Sequence, residues 1–281
     1  MANKINTNVI VPDVYAQLVR DKVKGKVKVA QFLVNLGDLH GKVGETIHFP
    51  KWGYIGDGKD WAVNTPMEVT QMKQTETSAT IKAIQAPAVK VADYDDEVAL
   101  GNAIEEAAEQ QSISIGRKYD TDAIACALTS PLKYQLATKN TVTQDEMISI
   151  LGLYGDDRDS ADFDAICISS LFAPSFYKMD MFTSRERTMT TDGSGIAVNG
   201  VIGEFLGIPV VLSDRLYDST NTEGFILVMK KNAISIIPKE SPFAEASRDA
   251  GLRQTTIYLS QFYAMALTDD TAVVVAKKVL G

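Results

Sequence analysis

The sequence has 281 residues, a formal net charge of −8 and a pI of about 4.9. Its hydrophobic share of 45% and charged share of 23% are ordinary for a globular protein, which excludes a disordered or fibrous chain. The acidic balance argues against holding nucleic acid by phosphate neutralisation, since such proteins concentrate Lys and Arg.

Three further features of the sequence indicate the cellular compartment of the protein. No apolar run approaches the roughly 20 residues needed to span a bilayer, and the first residues lack the order of a secretion signal. Cys126 and Cys167 sit singly in apolar stretches, which is typical of buried free thiols in a reducing compartment. The sequence therefore predicts a protein made and kept in the cytoplasm.

An extended arm followed by a short amphipathic helix is predicted at the start of the chain. Pro12 and Asp13, followed by apolar residues up to Gly25, favour the helix. A basic run then follows at Lys22, Lys24, Lys26 and Lys28. We interpret it as one solvated, alternating face rather than a nucleic-acid contact.

Residues 45–92 are predicted to be extended. Segments 46–49 and 69–91 are β-prone, and the stretch 51–66 between them holds three glycines and both tryptophans. A two-stranded ribbon of this kind is marginally stable by itself in water. At about 3.3 Å per residue, an arm of about fifteen residues reaches roughly 50 Å, which indicates a contact outside its own domain.

Trp52, Tyr54 and Trp61 are the candidate functional residues of this ribbon. Large aromatic side chains are seldom left exposed at a hairpin tip, and they are enriched in interface cores. The alternative is that they fold back on their own domain. We expect them to pack on a neighbouring subunit.

The longest helix is predicted within residues 93–128, where Glu, Ala and Gln dominate and Pro is absent. Helical spacing marks one face through Ile104, Ala108, Gln111 and Ile115. A helix of about 25 residues would be nearly 40 Å long. Gly116 indicates a kink or a break.

The second half of the chain is predicted to mix short helices and strands, giving an α+β protein. Residues 143–146 fit a capping box before a helix, and 171–182 predict another helix that Pro174 interrupts. The predicted strands are 164–169 and 208–212, one hairpin of 225–229 with 233–237, and a final hairpin of 255–267 with 271–276.

Catalytic, nucleotide-binding and metal-binding motifs do not occur. There is no G-x-S-x-G, P-loop or G-x-G-x-x-G. His40 and His48 lack the spacing of a metal pair. Asp157 and Asp159 do not begin an EF-hand loop, because Ala161 stands where an acceptor is needed. We predict no catalytic, cofactor-binding or metal-binding residue and no cofactor.

Four stretches, in this order, resemble the major capsid proteins of tailed phages, whose Hong Kong 97-like fold is shared with encapsulins and the herpesvirus capsid floor. They are VIVPDVY at 9–15, GETIHFPKW at 44–52, the long helix at 93–128, and GEFLGIPVV at 203–211 with Ser213 and Asp214 behind it. The resemblance covers nearly the whole chain, and it rests on the order of the stretches.

The resemblance implies an α+β Hong Kong 97-like capsid fold in four parts. They are an N-terminal arm and first helix at 1–44, an extended β-hairpin loop at 45–90, a peripheral domain with a long spine helix at 91–136 and 238–281, and an axial domain at 137–237. The long helix and the final hairpin are expected to pack together in the peripheral domain.

As to function, the resemblance implies a structural major capsid protein and not an enzyme. It would assemble into pentamers and hexamers of an icosahedral shell around double-stranded DNA bound without specificity. Such a protein belongs in the virion after assembly in the host bacterial cytoplasm. Because Met1 stands directly on the arm, a separate scaffolding protein is expected, together with a portal. Isopeptide cross-links are not expected, although Lys51, Lys59 and Lys73 lie in or near the loop.

Two alternatives stay open from the sequence. An encapsulin-like compartment would contain protein cargo instead of DNA. A soluble carboxylate-dependent hydrolase would form a small oligomer rather than megadalton particles.

Overall fold

The computed structural model describes residues 12–23, 25–52, 55–60, 65–67, 69–94, 103–156, 159–184, 200–239 and 242–279. The α-helices in these ranges are α1 (Pro12–Val23), α2 (Ala103–Ala127), α3 (Gln144–Gly152) and α4 (Ala173–Phe176). The strands of the first half are β1 (Val34–Asn35), β2 (Thr46–Trp52), β3 (Gln74–Thr80), β4 (Lys82–Ala92) and β5 (Lys133–Gln135). Those of the second half are β6 (Phe163–Ile168), β7 (Phe182–Ser184), β8 (Val201–Phe205), β9 (Ile208–Leu212), β10 (Tyr217–Asp218), β11 (Glu223–Gly224), β12 (Ile226–Lys230), β13 (Ile234–Pro238), β14 (Phe243–Asp249), β15 (Gln254–Leu267) and β16 (Val273–Lys277).

Helix α2, which we call the spine helix, has the predicted length of 25 residues. Ala108, Gln111 and Ile115 are buried on the predicted face. The predicted break at Gly116 is wrong, because the helix continues through it. A Cβ at Gly116 would lie 3.2 Å from the Cβ of Lys26, so glycine permits close approach of the N-terminal segment.

The first of two large sheets, which we call the peripheral sheet, is organised around the 14-residue strand β15. Strand β4 pairs along one side of β15, and β14 and β13 pair in succession along the other side. Pro87 is tolerated in β4 because β4 is an edge strand and its register shifts there. The inner face of the sheet packs on the spine helix and α1.

The second large sheet has the order β5-β16-β12-β6-β9-β8-β7. Alternate residues of β6, β12 and β16 belong to two different hydrophobic clusters, one on each face of the sheet. The spine helix covers one face, and α3 and α4 cover the other. Burial on both faces explains why these strands are continuously apolar.

Both predicted hairpins of the second half are wrong. Strands β12 and β13 are neighbours in sequence but lie in different sheets, and so do β15 and β16. The four valine and alanine residues of β16 are fully buried, which requires a sheet covered on both faces. Which strands pair with each other thus depends on how they are buried and not on their proximity in sequence.

Two further predictions are corrected. The ribbon is shorter than 45–90, because only β2 and β3 form it and β4 joins the peripheral sheet. The helix at 171–182 is limited to α4, because Phe182 begins strand β7, which pairs with β8. The first helix, the capping box at Thr143 and the strands near 164–169 and 208–212 are confirmed.

Candidate assembly surfaces

The ribbon of β2 and β3, which we call the hairpin, is in register from Thr46 opposite Thr80 to Trp52 opposite Gln74. The structure places Trp52 at its outer end, and nothing is described of that side chain. Tyr54 and Trp61 lie outside the described residues. An interface role for the three aromatic residues therefore stays a prediction.

Apolar side chains cluster beyond the hairpin strands, in the segment that joins β2 to β3. Ile55, Met67, Val69 and Met72 are all exposed, and Val69 is 96% exposed. Single exposed apolar residues are normal, but several within one loop mark an interaction site. The described part of the loop thus has the composition of a contact surface.

The base of the hairpin is fixed by a small hydrophobic cluster. Phe49 is 1% exposed and packs with Ile81 and Leu39. Ala264 and Ala266 of β15 complete the cluster, so the hairpin base rests on the second half of the central strand. This cluster explains how a marginal two-stranded ribbon keeps its shape.

A cleft of about 370 Å³ lies on the outer face of the peripheral sheet, which faces away from the spine helix. It is lined by Pro87 and Gln85 of β4, by Phe243 and by Tyr258. Phe243 and Tyr258 are 58% and 50% exposed. Sequence reasoning missed this cleft, because only the pairing of β14, β15 and β4 brings these residues together.

The N-terminal segment is attached to the spine helix by charged groups. Lys22 donates to Glu109 at 3.0 Å, and Lys26 also pairs with Glu109. These contacts lower the pKa of Glu109, and the hydrogen bond from Lys26 has the largest effect. The prediction of a solvated basic face is therefore wrong at Lys22 and Lys26, and Lys24 lies outside the described residues.

Asp120 of the spine helix holds the next part of the chain. Its buried carboxylate accepts hydrogen bonds from the backbone N–H groups of Lys28, Val29 and Ala30 at 2.8–3.1 Å. Burial raises the pKa of Asp120, and the three amides oppose that rise. A carboxylate that satisfies three amides fixes the turn after α1 in one position.

Catalytic or metal chemistry finds no support in the described parts of the chain. Groups of three or more His, Cys, Asp or Glu that could hold a metal do not occur among those residues. His48 is exposed, and its Nδ1 lies 3.4 Å from Glu76. Cys167 is buried and Cys126 partly so; both are free thiols, and burial raises the pKa of each. Within the described residues, no helix has the length and apolar character to cross a membrane.

Comparison with known proteins found one curated relative and many solved structures. The chain is 27% identical over 283 residues to the major capsid protein of Staphylococcus phage phiMR11, covering 98% of this chain and 96% of that one. It matches the capsid structure of the cyanophage P-SCSP1u with a TM-score of 0.61 at 14% identity, covering 91% and 89% of the two chains. It matches the capsid of a native GTA particle with a TM-score of 0.60 at 12% identity and 90% coverage of both. No family model matches the chain.

The fold is Hong Kong 97-like. The resemblance to tailed-phage major capsid proteins is thereby confirmed. The curated relative is a major capsid protein that matches nearly the whole chain, which supports a structural rather than an enzymatic role. The capsid structures with this fold support self-assembly into multimeric shells, and the comparisons favour neither the encapsulin-like nor the hydrolase alternative.

Proposed function

We propose that this chain is the major head protein of a tailed phage and builds pentamers and hexamers of an icosahedral shell around double-stranded DNA. Assembly takes place in the bacterial cytoplasm with a separate scaffolding protein, and a portal occupies one vertex. The net charge of −8 suits this role, since a strongly basic wall would bind a genome that has to slide during packaging.

The observation that carries the proposal is an exposed apolar loop together with an exposed aromatic cleft. The loop lies at the outer end of β3, while the cleft lies on β4, on the opposite side of Ile81. Seven residues of β3 and four of β4 lie between them, a length along the chain of about 35 Å at 3.3 Å per residue. Phe243 and Tyr258 are 58% and 50% exposed in the single subunit.

We therefore place the loop of one subunit in the cleft of the next. Such a contact joins two different surfaces, so it closes into a ring when the rotation between subunits is right. Trp52, Tyr54 and Trp61 supply the aromatic side of the contact in this proposal. Burying one aromatic side chain contributes roughly 1.5–3 kcal/mol, and every subunit of the ring repeats the contact.

The domain division stays part of the proposal. A peripheral domain of the spine helix and the β15 sheet, and an axial domain of the seven-stranded sheet, fit the two layers of the fold. Strand β16 pairs with β12 and β5, and β13 pairs with β15. The axial domain therefore gains 133–135 and 273–277 and gives up 234–238 relative to the predicted boundaries.

Substitutions on both sides of the proposed contact test it. Trp52→Ala with Trp61→Ala, and separately Phe243→Glu with Tyr258→Glu, should leave a folded subunit by circular dichroism and prevent particle formation by negative-stain microscopy. Leu252→Glu is the matched control, because Leu252 is 69% exposed outside the cleft. Ile208→Asp should instead abolish soluble protein, because Ile208 is buried in the core.

Two results would overturn parts of the proposal. Stable particles from the double tryptophan variant would exclude the loop from assembly. Particles that contain protein cargo and no DNA would exclude a phage head.

A further inference from the structure

Lys51 lies next to Trp52 near the outer end of β2, beyond the apolar cluster at the hairpin base. Its ammonium group donates to Oδ1 of Asp269 at 3.2 Å and to Asp270. Both aspartates lie between β15 and β16, in the turn that joins the two large sheets. The side chain of Lys51 thus links the hairpin to the turn that joins the two large sheets.

The turn presents its two carboxylates from a fixed backbone. Oδ1 of Asp269 accepts hydrogen bonds from the N–H and the hydroxyl of Thr271 at 3.0 and 2.8 Å. The hydroxyl of Ser130, just beyond the spine helix, donates to the carbonyls of Val273 and Asp270 at 2.6 and 3.3 Å. The carboxylate of Asp269 and the backbone of Asp270 are therefore held by contacts that do not involve Lys51.

The ionic contact lies farther out along the hairpin than the apolar cluster at its base. Phe49 and Ile81 pack there against β15, and apolar packing has no directional preference. An ion pair in which Lys51 is hydrogen-bonded to two carboxylates does have a directional preference. The hairpin can therefore rotate about the apolar cluster, and the Lys51 ion pair sets the angle between the hairpin and the rest of the subunit.

We infer that Lys51, Asp269 and Asp270 form a releasable latch that sets the direction in which the hairpin leaves the subunit. The inference rests on the proposed shell, in which identical subunits of pentamers and hexamers meet at different angles. The side chains of Lys51, Asp269 and Asp270 are 34%, 43% and 57% exposed, so water and salt screen the pair and it opens at low cost. In subunits that need another angle the latch is open.

Hydrogen exchange on the unassembled subunit tests the latch without any shell. In Lys51→Met, the hairpin amides at 46–49 and 75–80 should exchange about two- to fivefold faster than in the wild type, the range expected for one exposed ion pair. Lys73→Met is the matched control, because Lys73 is an exposed lysine next to the same hairpin, and it should leave exchange unchanged. The exchanged pair Lys51→Asp with Asp270→Lys should restore slow exchange.

Equal exchange in Lys51→Met and the wild type, or equal acceleration in Lys73→Met, would overturn the latch. In assembled material, Lys51→Met particles should show a broader spread of diameters by electron microscopy than Lys73→Met particles. A spread as narrow as that of the control would also overturn it. If the wild type itself forms no particles, the proposed shell fails, and the exchange result still decides the latch.

Discussion

The phenol of Tyr15 on α1 donates a buried hydrogen bond of 2.8 Å to Oε1 of Gln111 on the spine helix. The amide of Gln111 donates in turn to the carbonyls of Pro87 and Ile257, at 3.0 and 3.3 Å. Those carbonyls lie where the register between β4 and β15 shifts. Gln111 thus connects the N-terminal helix, the spine helix and the irregular part of the peripheral sheet. Burial raises the pKa of Tyr15 to about 12, so its phenol stays a donor at neutral pH.

Gln111→Leu should lower the free energy of unfolding by about 2–3 kcal/mol, because it leaves the Tyr15 hydroxyl, the buried carbonyl of Ile257 and the partly buried carbonyl of Pro87 without this partner. Tyr15→Phe should cost about 1 kcal/mol, since the amide of Gln111 keeps its acceptors. Urea denaturation measures both values. Gln110→Leu is the control, because Gln110 is exposed on the same helix, and a cost there equal to that of Gln111→Leu would contradict this account.

Asp120→Ala should cost about 1.5–3 kcal/mol, because three backbone N–H groups lose a charged acceptor. The loss should be local as well as global, so the amides of Val29 and Ala30 should exchange faster than those of the spine helix. Asp120→Asn, which keeps one carbonyl oxygen, should fall between Asp120→Ala and the wild type. Unchanged exchange at Val29 and Ala30 in Asp120→Ala would show that the turn is held by other contacts.

Stability should depend on pH through Glu146. Burial opposes ionisation of this carboxyl, but hydrogen bonds from the N–H groups of Ala137 and Thr143 and from the Thr143 hydroxyl bring its pKa below the usual 4.5. A depressed pKa means that the contribution is present above pH 4.5 and is lost as pH falls through the folded-state pKa. Glu146→Gln should therefore cost about 1 kcal/mol at neutral pH and much less once the pH has fallen below the folded-state pKa of Glu146. Urea titrations at several pH values measure this, and a difference that stays constant with pH would contradict it.

Assembled particles should contain no covalent bonds between subunits. Among the three lysines of the loop region, Lys51 is engaged with Asp269 and Asp270 of its own chain. Denaturing gels of particles should therefore show a single band at the 30.6 kDa monomer. A ladder of heavier bands would show that Lys59, Lys73 or another lysine forms isopeptide links.

The sequence predicted well those elements of the fold that depend on local sequence patterns. The capping box at Thr143 and Glu146 lies within four consecutive residues, and the helical spacing of Ala108, Gln111 and Ile115 lies within three turns. Both patterns depend on neighbours in sequence, so no partner had to be known. The partner of β16 could not be predicted this way, because a run of buried valines fits any strand covered on both faces.

The residues of the candidate site divide in the same way into those that neighbouring residues in sequence make recognisable and those that they do not. Trp52 could be singled out from its own surroundings, because a large aromatic residue in a glycine-rich segment is unusual by itself. Phe243 and Tyr258 gave no such signal, since each alternates with polar or buried residues in an ordinary strand pattern. Lys51 was noted only as one of three lysines, and its acceptor Asp269 is 218 residues away in sequence.

Strand β16 lies between β12 and β5, so the position next to one edge of the seven-stranded sheet is filled by the last of the described strands to be synthesised. A chain still emerging from the ribosome has β5, β6 and β12 available but lacks the strand that joins β5 to the rest. Contacts between residues so distant in sequence form slowly, because a long loop has to close before they contribute. Until β16 has been synthesised, an unfinished subunit therefore cannot present the complete seven-stranded sheet to its neighbours.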